Sequence, residues 1–176
     1  MIAIASGKGG VGKTFVSSSI GYALAKEGNN VLLFDGDLGL ANIDVQLGLT
    51  PQHDIGSVIA GRVSLEQAIC SAIKDPKTQN CPGRFDILAG KSGSGALNAL
   101  SKPQLVGLMR GLSELATRYD YVFVDLPAGL DKSVTLLSTK AAMILVIVTD
   151  EPTSLTDAYA YIKVTSRQTG PEPFHI

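Results

Sequence analysis

The hydrophobic positions of this chain fall in solid blocks rather than in alternation. Ile2-Ala3-Ile4-Ala5, Val31-Leu32-Leu33-Phe34, Tyr121-Val122-Phe123-Val124 and the stretch Met143–Thr149 are short runs with almost no polar face. Such runs mark strands covered on both sides. Between them the spacing is helical. Val16–Lys26 carries Ile20 and Leu24 and ends on the turn residues Gly28-Asn29-Asn30. Ser101 caps a longer helix with Pro103 in its first turn, running to about Arg118, with Leu105, Leu108, Met109, Leu112 and Leu115 as its core stripe. Further helices are expected near Lys132–Lys140 and over Ser154–Arg167. Brief ones are expected over Ile55–Ala60 and Leu65–Ile69, introduced by the capping candidates Asp54 and Ser64. Phe85–Leu88 reads as a strand, Phe174-His175-Ile176 as the start of another, and Ser71–Arg84, with Pro76, Pro82 and Gly83, as an exposed loop.

Strand and helix alternate throughout. For buried strands this order requires an α/β fold: a doubly wound, mostly parallel sheet with helices on both faces, joined by right-handed crossovers. The length of 176 residues predicts a single domain over 1–176, large enough to bury roughly 70% of its unfolded surface. In such sheets ligands bind outside the carboxyl ends of the strands. That edge collects the loop after the first strand, the acids Asp35 and Asp37 after the second apolar run, and Asp125 at the end of the third.

Composition narrows the partners. The chain is 45% hydrophobic and 18% charged, with a net charge of -1, and no dense Lys/Arg cluster marks a DNA patch. The longest apolar run, Ala141 to Val148, falls short of the roughly 20 residues a membrane helix needs, and no signal peptide precedes the first strand. A cytoplasmic setting follows, with Cys70 and Cys81, which lack CxxC spacing, as reduced thiols.

The loop after the first strand carries the chemistry. Ser6-Gly7-Lys8-Gly9-Gly10-Val11-Gly12-Lys13-Thr14 fits the phosphate-cradling pattern GxxxxGK[ST] at Gly7, Gly12, Lys13 and Thr14, between a strand and a helix as the pattern demands. Glycines let backbone N–H groups close around phosphate oxygens, and the helix start adds donors and partial positive charge. Lys13 then neutralises the β/γ-phosphates and the Thr14 hydroxyl binds Mg²⁺. Gly90-Lys91-Ser92 is a decoy, because Phe85 stands where the pattern needs glycine.

With these motifs in hand, the chain resembles the MinD/ParA family of dimerising P-loop ATPases. The family's variant loop, KGGxGKT, matches Lys8-Gly9-Gly10-Val11-Gly12-Lys13-Thr14, with its additional early lysine at Lys8. Asp35-Gly36-Asp37-Leu38-Gly39-Leu40-Ala41-Asn42-Ile43-Asp44 resembles the first switch and Asp125-Leu126-Pro127-Ala128-Gly129 the second. Glu151-Pro152-Thr153-Ser154-Leu155-Thr156-Asp157-Ala158-Tyr159 is most similar to the members that set flagellar number and position. The resemblance implies ATP and Mg²⁺ as ligands, held by Gly7, Lys8, Gly9, Gly10, Val11, Gly12, Lys13, Thr14 and Phe15. It implies Thr14, Asp125 and Asp35 around the metal, and Asp37 orienting the attacking water. Lys8 would reach the partner's nucleotide across a homodimer, where comparable arginine fingers are worth about 10³–10⁵ in rate. A regulatory protein partner is implied as well.

Each assignment has a plainer alternative. Asp37 and Lys8 could be solvated loop residues, Asp35 a purely structural hydrogen-bonding group, and Asn42 a partner of loop backbone only. His53 and His175 have no acid or cysteine beside them in sequence and receive no chemistry. The chain also departs from the family. Phe15 replaces a small polar residue near the α-phosphate. The chain stops before the later strands and helices that recognise the base, which reads as a fragment or a minimal member and leaves ATP over GTP to analogy. No membrane-targeting C-terminal helix and no N-terminal extension is visible. Two rival classes remain: a non-hydrolysing, nucleotide-gated scaffold, and an iron–sulfur relative such as the nitrogenase iron protein, disfavoured by the positions of Cys70 and Cys81.

Overall fold

A computed structural model describes residues 1–37, 42–73, 80–90, 100–170 and 173–176. Positions 38–41 of the acidic loop, Pro76 and the stretch 91–99, including Lys91 and Ser92 of the decoy, lie outside the described residues. The strands are β1 (Ile2–Ala5), β2 (Asn30–Asp35), β3 (Ile69–Ser71), β4 (Arg84–Leu88), β5 (Tyr121–Asp125), β6 (Met143–Val146) and β7 (Phe174–His175). The helices are α1 (Lys13–Lys26), α2 (Ile43–Leu47), α3 (Ile55–Ile59), α4 (Lys102–Ala116), α5 (Lys132–Ser138) and α6 (Pro152–Thr169).

One sheet holds these strands in the order β3-β4-β2-β5-β1-β6-β7. All pairings are parallel except that of β3 with β4. The solid apolar runs explain the layering. Successive strand residues point to opposite faces, so Ala3, Ala5, Leu32 and Phe34 join one core with Leu108, Leu112, Val134 and Tyr161 from α4, α5 and α6. Ile4, Val31, Leu33 and Phe123 form a second core with Ile20 and Leu24 of α1 and Ile43 of α2. A run apolar at every position is what a strand between two helical layers needs.

The expected elements appear, with corrections at their ends. Helix α1 begins at Lys13, three residues before Val16, because Gly12 takes a left-handed φ of 95° that turns the chain directly into the helix. The block from Met143 to Thr149 stops being a strand at Val146. There Ile147 N–H bonds the Ala5 carbonyl at the end of β1 (2.8 Å), and Thr149 N–H goes to Ser154 Oγ (3.0 Å). Ser154–Arg167 lengthens to Pro152–Thr169, with proline at the tolerated helix start.

The segment between β2 and β4 differs more. Leu65–Ile69 shortens to one turn of 3-10 helix at Glu66–Ala68, and Ile69 already opens the edge strand β3, which pairs antiparallel with β4. The capping signals were nonetheless real: Ser57 N–H bonds Asp54 Oδ1 at 2.7 Å, and Gln67 N–H reaches Ser64 Oγ at 3.3 Å. Ser71–Arg84 is not an exposed loop throughout, since Ile73 and Cys81 are buried. Cys81 packs among Val31, Phe85 and Ile87. The short helix α2 stands in the acidic stretch, where no helix was expected.

Candidate functional site

The carboxyl ends of β1, β2 and β5 lie side by side, and their loops are stitched together through backbone. Leu126 N–H bonds the Ile4 carbonyl (2.9 Å), Gly129 N–H the Ser6 carbonyl (3.2 Å), and Gly36 N–H the Asp125 carbonyl (2.9 Å). A Cβ at Gly36 would sit 2.8 Å from that Asp125 oxygen, so glycine is needed where the two acidic loops touch. The motifs, spread over more than a hundred residues of sequence from Gly7 to Asp125, thus share one edge of the sheet.

Within the phosphate loop, Gly10 and Gly12 adopt positive φ of 78° and 95°, conformations other residues resist. Cβ positions at Gly9, Gly10 and Gly12 meet nothing within 4 Å, so this side of the loop is open to a ligand. Gly7 is different: a Cβ there would overlap the backbone of Asp157, where α6 crosses close behind the loop. The glycines of the loop therefore serve two purposes, an open cradle and a close helix approach.

Lys13 is the first residue of α1, half-buried, and donates from Nζ to Ser6 Oγ (2.9 Å); Ser6 in turn donates to the Lys8 carbonyl (2.6 Å). Burial lowers the Lys13 pKa below the ordinary lysine value, against the opposing pull of Asp125 and Asp37. Asp125, almost wholly buried, accepts a hydrogen bond from the Thr14 side chain; burial lifts its pKa to about 6 and Asp37 adds to the rise. Its Oδ1 has no partner among the described residues. Lys13, Thr14, Asp37 and Asp125 therefore form one electrostatic group.

Asp35 is the register partner of Asp125 across β2 and β5. Its carboxylate accepts backbone N–H bonds from Asp37 (3.1 Å), Asn42 (3.1 Å) and Ile43 (3.3 Å). Burial raises its pKa to about 7; the bonds from Ile43, Asp37 and Asn42 oppose the rise and Asp125 adds to it.

Lys8 goes elsewhere. Its ammonium pairs with Glu151 and touches Thr153 Oγ1 (3.3 Å) at the start of α6. Phe15, the residue after Thr14, is two-thirds exposed. Ser6, Glu151, Thr153 and Asp157 are the site neighbours that motif reading assigned no role. Glu151, Thr153 and Asp157 lie in the stretch that carried the subgroup resemblance. No local spacing signal links Lys8 to a residue 143 positions away.

Could a divalent cation fit here? A buried Asp125 carboxylate oxygen with no hydrogen-bond partner among the described residues and a Thr14 hydroxyl bonded to the same carboxylate form an oxygen-donor pair suited to Mg²⁺, beside a glycine cradle open to phosphate. Among the described residues no group of three or more His, Cys, Asp and Glu side chains could hold a metal by itself. Magnesium usually binds through one or two carboxylates together with substrate phosphates and water, and the arrangement matches that habit. No helix among the described residues is long and apolar enough to cross a membrane.

A family model described as an AAA domain matches residues 1–168. The antiactivator FleN of Pseudomonas aeruginosa is 42% identical over 176 residues, covering 100% of this chain and 60% of FleN. The flagellum site-determining protein YlxH of Helicobacter pylori is 33% identical, with 94% of this chain and 53% of YlxH covered. Among solved structures, a chain of the MinC:MinD cell division protein complex of Aquifex aeolicus superposes with a TM-score of 0.79 at 32% identity, covering 98% of this chain and 65% of that one. The septum site-determining protein MinD of Pyrococcus horikoshii, complexed with Mg-ADP, gives 0.74 at 29% identity, covering 94% and 64%. The chain thus spans about 60% of the length of FleN and about half that of YlxH.

Proposed function

Because this chain belongs to the MinD/ParA family of P-loop ATPases, we propose that it is a Mg²⁺-dependent ATPase that dimerises with ATP and recruits a regulatory protein, acting in the cytoplasm to place a structure such as the flagellum or the division site. One observation carries the reading. Asp125 Oδ1 is buried without a hydrogen-bond partner among the described residues, on a carboxylate that Thr14 bonds and the Lys13 charge acts on.

The chain's own groups divide the work. Backbone N–H groups of Gly9, Gly10, Val11 and Gly12 close on the phosphates, with Gly7 letting α6 pack behind them. The residue after Thr14, Phe15, contributes its N–H and no hydroxyl. Lys13, held by Ser6 and partly desolvated, meets the β/γ charge, which compensates the hydration its ammonium has lost. Thr14 and Asp125 would hold Mg²⁺, directly and through its water shell. Held by these residues, Mg²⁺ would supply positive charge to offset the negative charge that develops on the phosphates. Asp37, electrostatically coupled to Lys13 and Asp125, orients the attacking water. Lys8 supplies a cation in trans to the partner protomer, which makes hydrolysis depend on assembly.

The direct test is calorimetry of the intact chain with Mg²⁺ and either ATP or GTP, followed by phosphate release. Binding of ATP with slow, concentration-dependent release supports the proposal; no heat with either nucleotide removes it. A second reading, a nucleotide-gated scaffold that does not hydrolyse, draws support from the engagement of Lys8 by Glu151 within its own chain. Single-turnover phosphate release separates the two.

A further inference from the structure

Two aspartates end neighbouring strands, and they differ in how far the protein already uses their oxygens. A carboxylate offers about four acceptor positions. At Asp125, Oδ1 is unused by the described residues. At Asp35, which is 1% exposed, both oxygens are engaged: Oδ1 by Asp37 N–H, Oδ2 by the N–H groups of Asn42 and Ile43. These donors stand at the two ends of the acidic loop. The far end is fixed to the molecule, since Ile43 opens α2 and its side chain lies in the core with Ile4, Val31 and Leu33. The near end is Asp37 itself.

We propose that Asp35 is a positioning residue and not a member of the metal shell: its carboxylate clasps the loop at residues 37 and 42–43 and thereby sets where the Asp37 carboxylate stands relative to Lys13 and Asp125. The role given to Asp37 rests on the ATPase reading above; the clasp itself rests on the three hydrogen bonds. The geometry gives the clasp a direction. Asn42 and Ile43 are anchored through α2 and the core, so Asp35 and its strand form a fixed post. Asp37 is the group whose placement the post determines. Breaking the clasp should misplace Asp37 while Lys13, Thr14 and Asp125, carried by α1 and β5, keep their backbone positions.

Asp35→Asn tests this. The amide keeps the shape but replaces one accepting oxygen with an NH₂ group that faces N–H donors, so at least one end of the clasp is lost. Backbone amides of Asp37, Asn42 or Ile43 should then exchange with deuterium about tenfold faster, the scale of losing one such bond. Turnover should fall by at least as much, while ATP affinity and the Mg²⁺ concentration for half-maximal rate stay within twofold. If the variant instead demands tenfold more Mg²⁺ and regains full rate when it is supplied, Asp35 belongs to the metal shell and the proposal is overturned. Unchanged exchange and unchanged turnover overturn it equally.

The intact chain provides the measurement that does not depend on the variant folding. Amide exchange at positions 37, 42 and 43 is read without ligand, with Mg²⁺ alone and with Mg²⁺ plus ATP. Protection in all three conditions supports the clasp, and loss of protection when Mg²⁺ and ATP are added overturns it. The two readings fail separately. A chain with slow exchange at these amides but no ATP turnover refutes the ATPase proposal and leaves the clasp standing.

Discussion

The phosphate loop lies between two unlike flanks. On one side stand the ends of β2 and β5, where Asp35 and Asp125 are buried and Lys13 is pulled partly out of water. On the other is the junction of β6 and α6, where Glu151 holds Lys8 in a pair whose side chains are 58% and 41% exposed. Both flanks place a carboxylate near a loop lysine. Burial makes the difference. Charges out of water interact strongly and are costly to leave unmatched, so the inner flank has every reason to take up a polyanion and a cation. An exposed pair is worth about 0–1 kcal/mol, enough to park a lysine and too little to keep it there.

The largest effect expected from breaking this contrast comes from Lys13→Ala. It leaves Asp125 and Asp37 without their nearby cation and the phosphates without theirs, so calorimetry should register no ATP binding. Retained binding within tenfold of the parent would mean the inner flank is not the nucleotide site. Asp37→Ala is next. It should bind ATP with little change and lose roughly 10²–10⁴ in single-turnover rate, the usual contribution of a positioned acid–base group. Hydrolysis at the parental rate would remove Asp37 from the chemistry.

How legible these flanks were differs for a physical reason. The phosphate loop is a local device. Its pattern is written in consecutive residues, so Gly7, Gly12, Lys13 and Thr14 could be read from spacing alone, and the apolar blocks located β1, β2, β5 and β6. Asp125 was legible because an acid closing a wholly apolar strand has few reasons to be there. The outer flank is not local. Lys8 and Glu151 meet only because β6 runs beside β1 and α6 returns over the loop. Asp35 was visible as a residue but not through its hydrogen bonds, since donors at positions 37, 42 and 43 become its neighbours only in the folded chain. The elements missed, α2 and β3, are five and three residues long. Pieces so short carry too little periodicity to declare themselves; packing against α1 and pairing with β4 decide them.

A third prediction compares the inner flank with itself at two pH values. Burial lifts the Asp125 pKa from 3.8 to about 6. A folded-state pKa raised above the unfolded value means the folded chain holds the extra proton between those limits. Stability from this group therefore declines as pH rises from about 4 through about 6 and is level beyond. Asp125→Asn cannot ionise. In chelator, without nucleotide, urea unfolding should show the variant gaining on the parent between pH 4 and pH 7, by up to about 3 kcal/mol. A variant that loses ground as pH rises would contradict the desolvated state assigned to this carboxylate.

The smallest effect belongs to the outer flank, and its smallness is informative. Glu151→Gln removes one charge of an exposed pair and should cost less than about 1 kcal/mol of stability, with the difference shrinking as salt screens the parent's pair. The same step releases Lys8. If Lys8 must leave Glu151 before it can reach a second protomer, the pair subtracts its own free energy from association. Removing it should then strengthen ATP-dependent dimerisation by up to about fivefold, the equivalent of about 1 kcal/mol. Sedimentation or light scattering at several protein concentrations, with ATP and Mg²⁺, measures this on the parent and the variant side by side. Weaker dimerisation in Glu151→Gln would show that Glu151 contributes to the assembled state, and Lys8 would then be a residue that Glu151 positions for the partner. Unaltered dimerisation would make the pair incidental, leaving the inner flank as the sole functional wall of the loop.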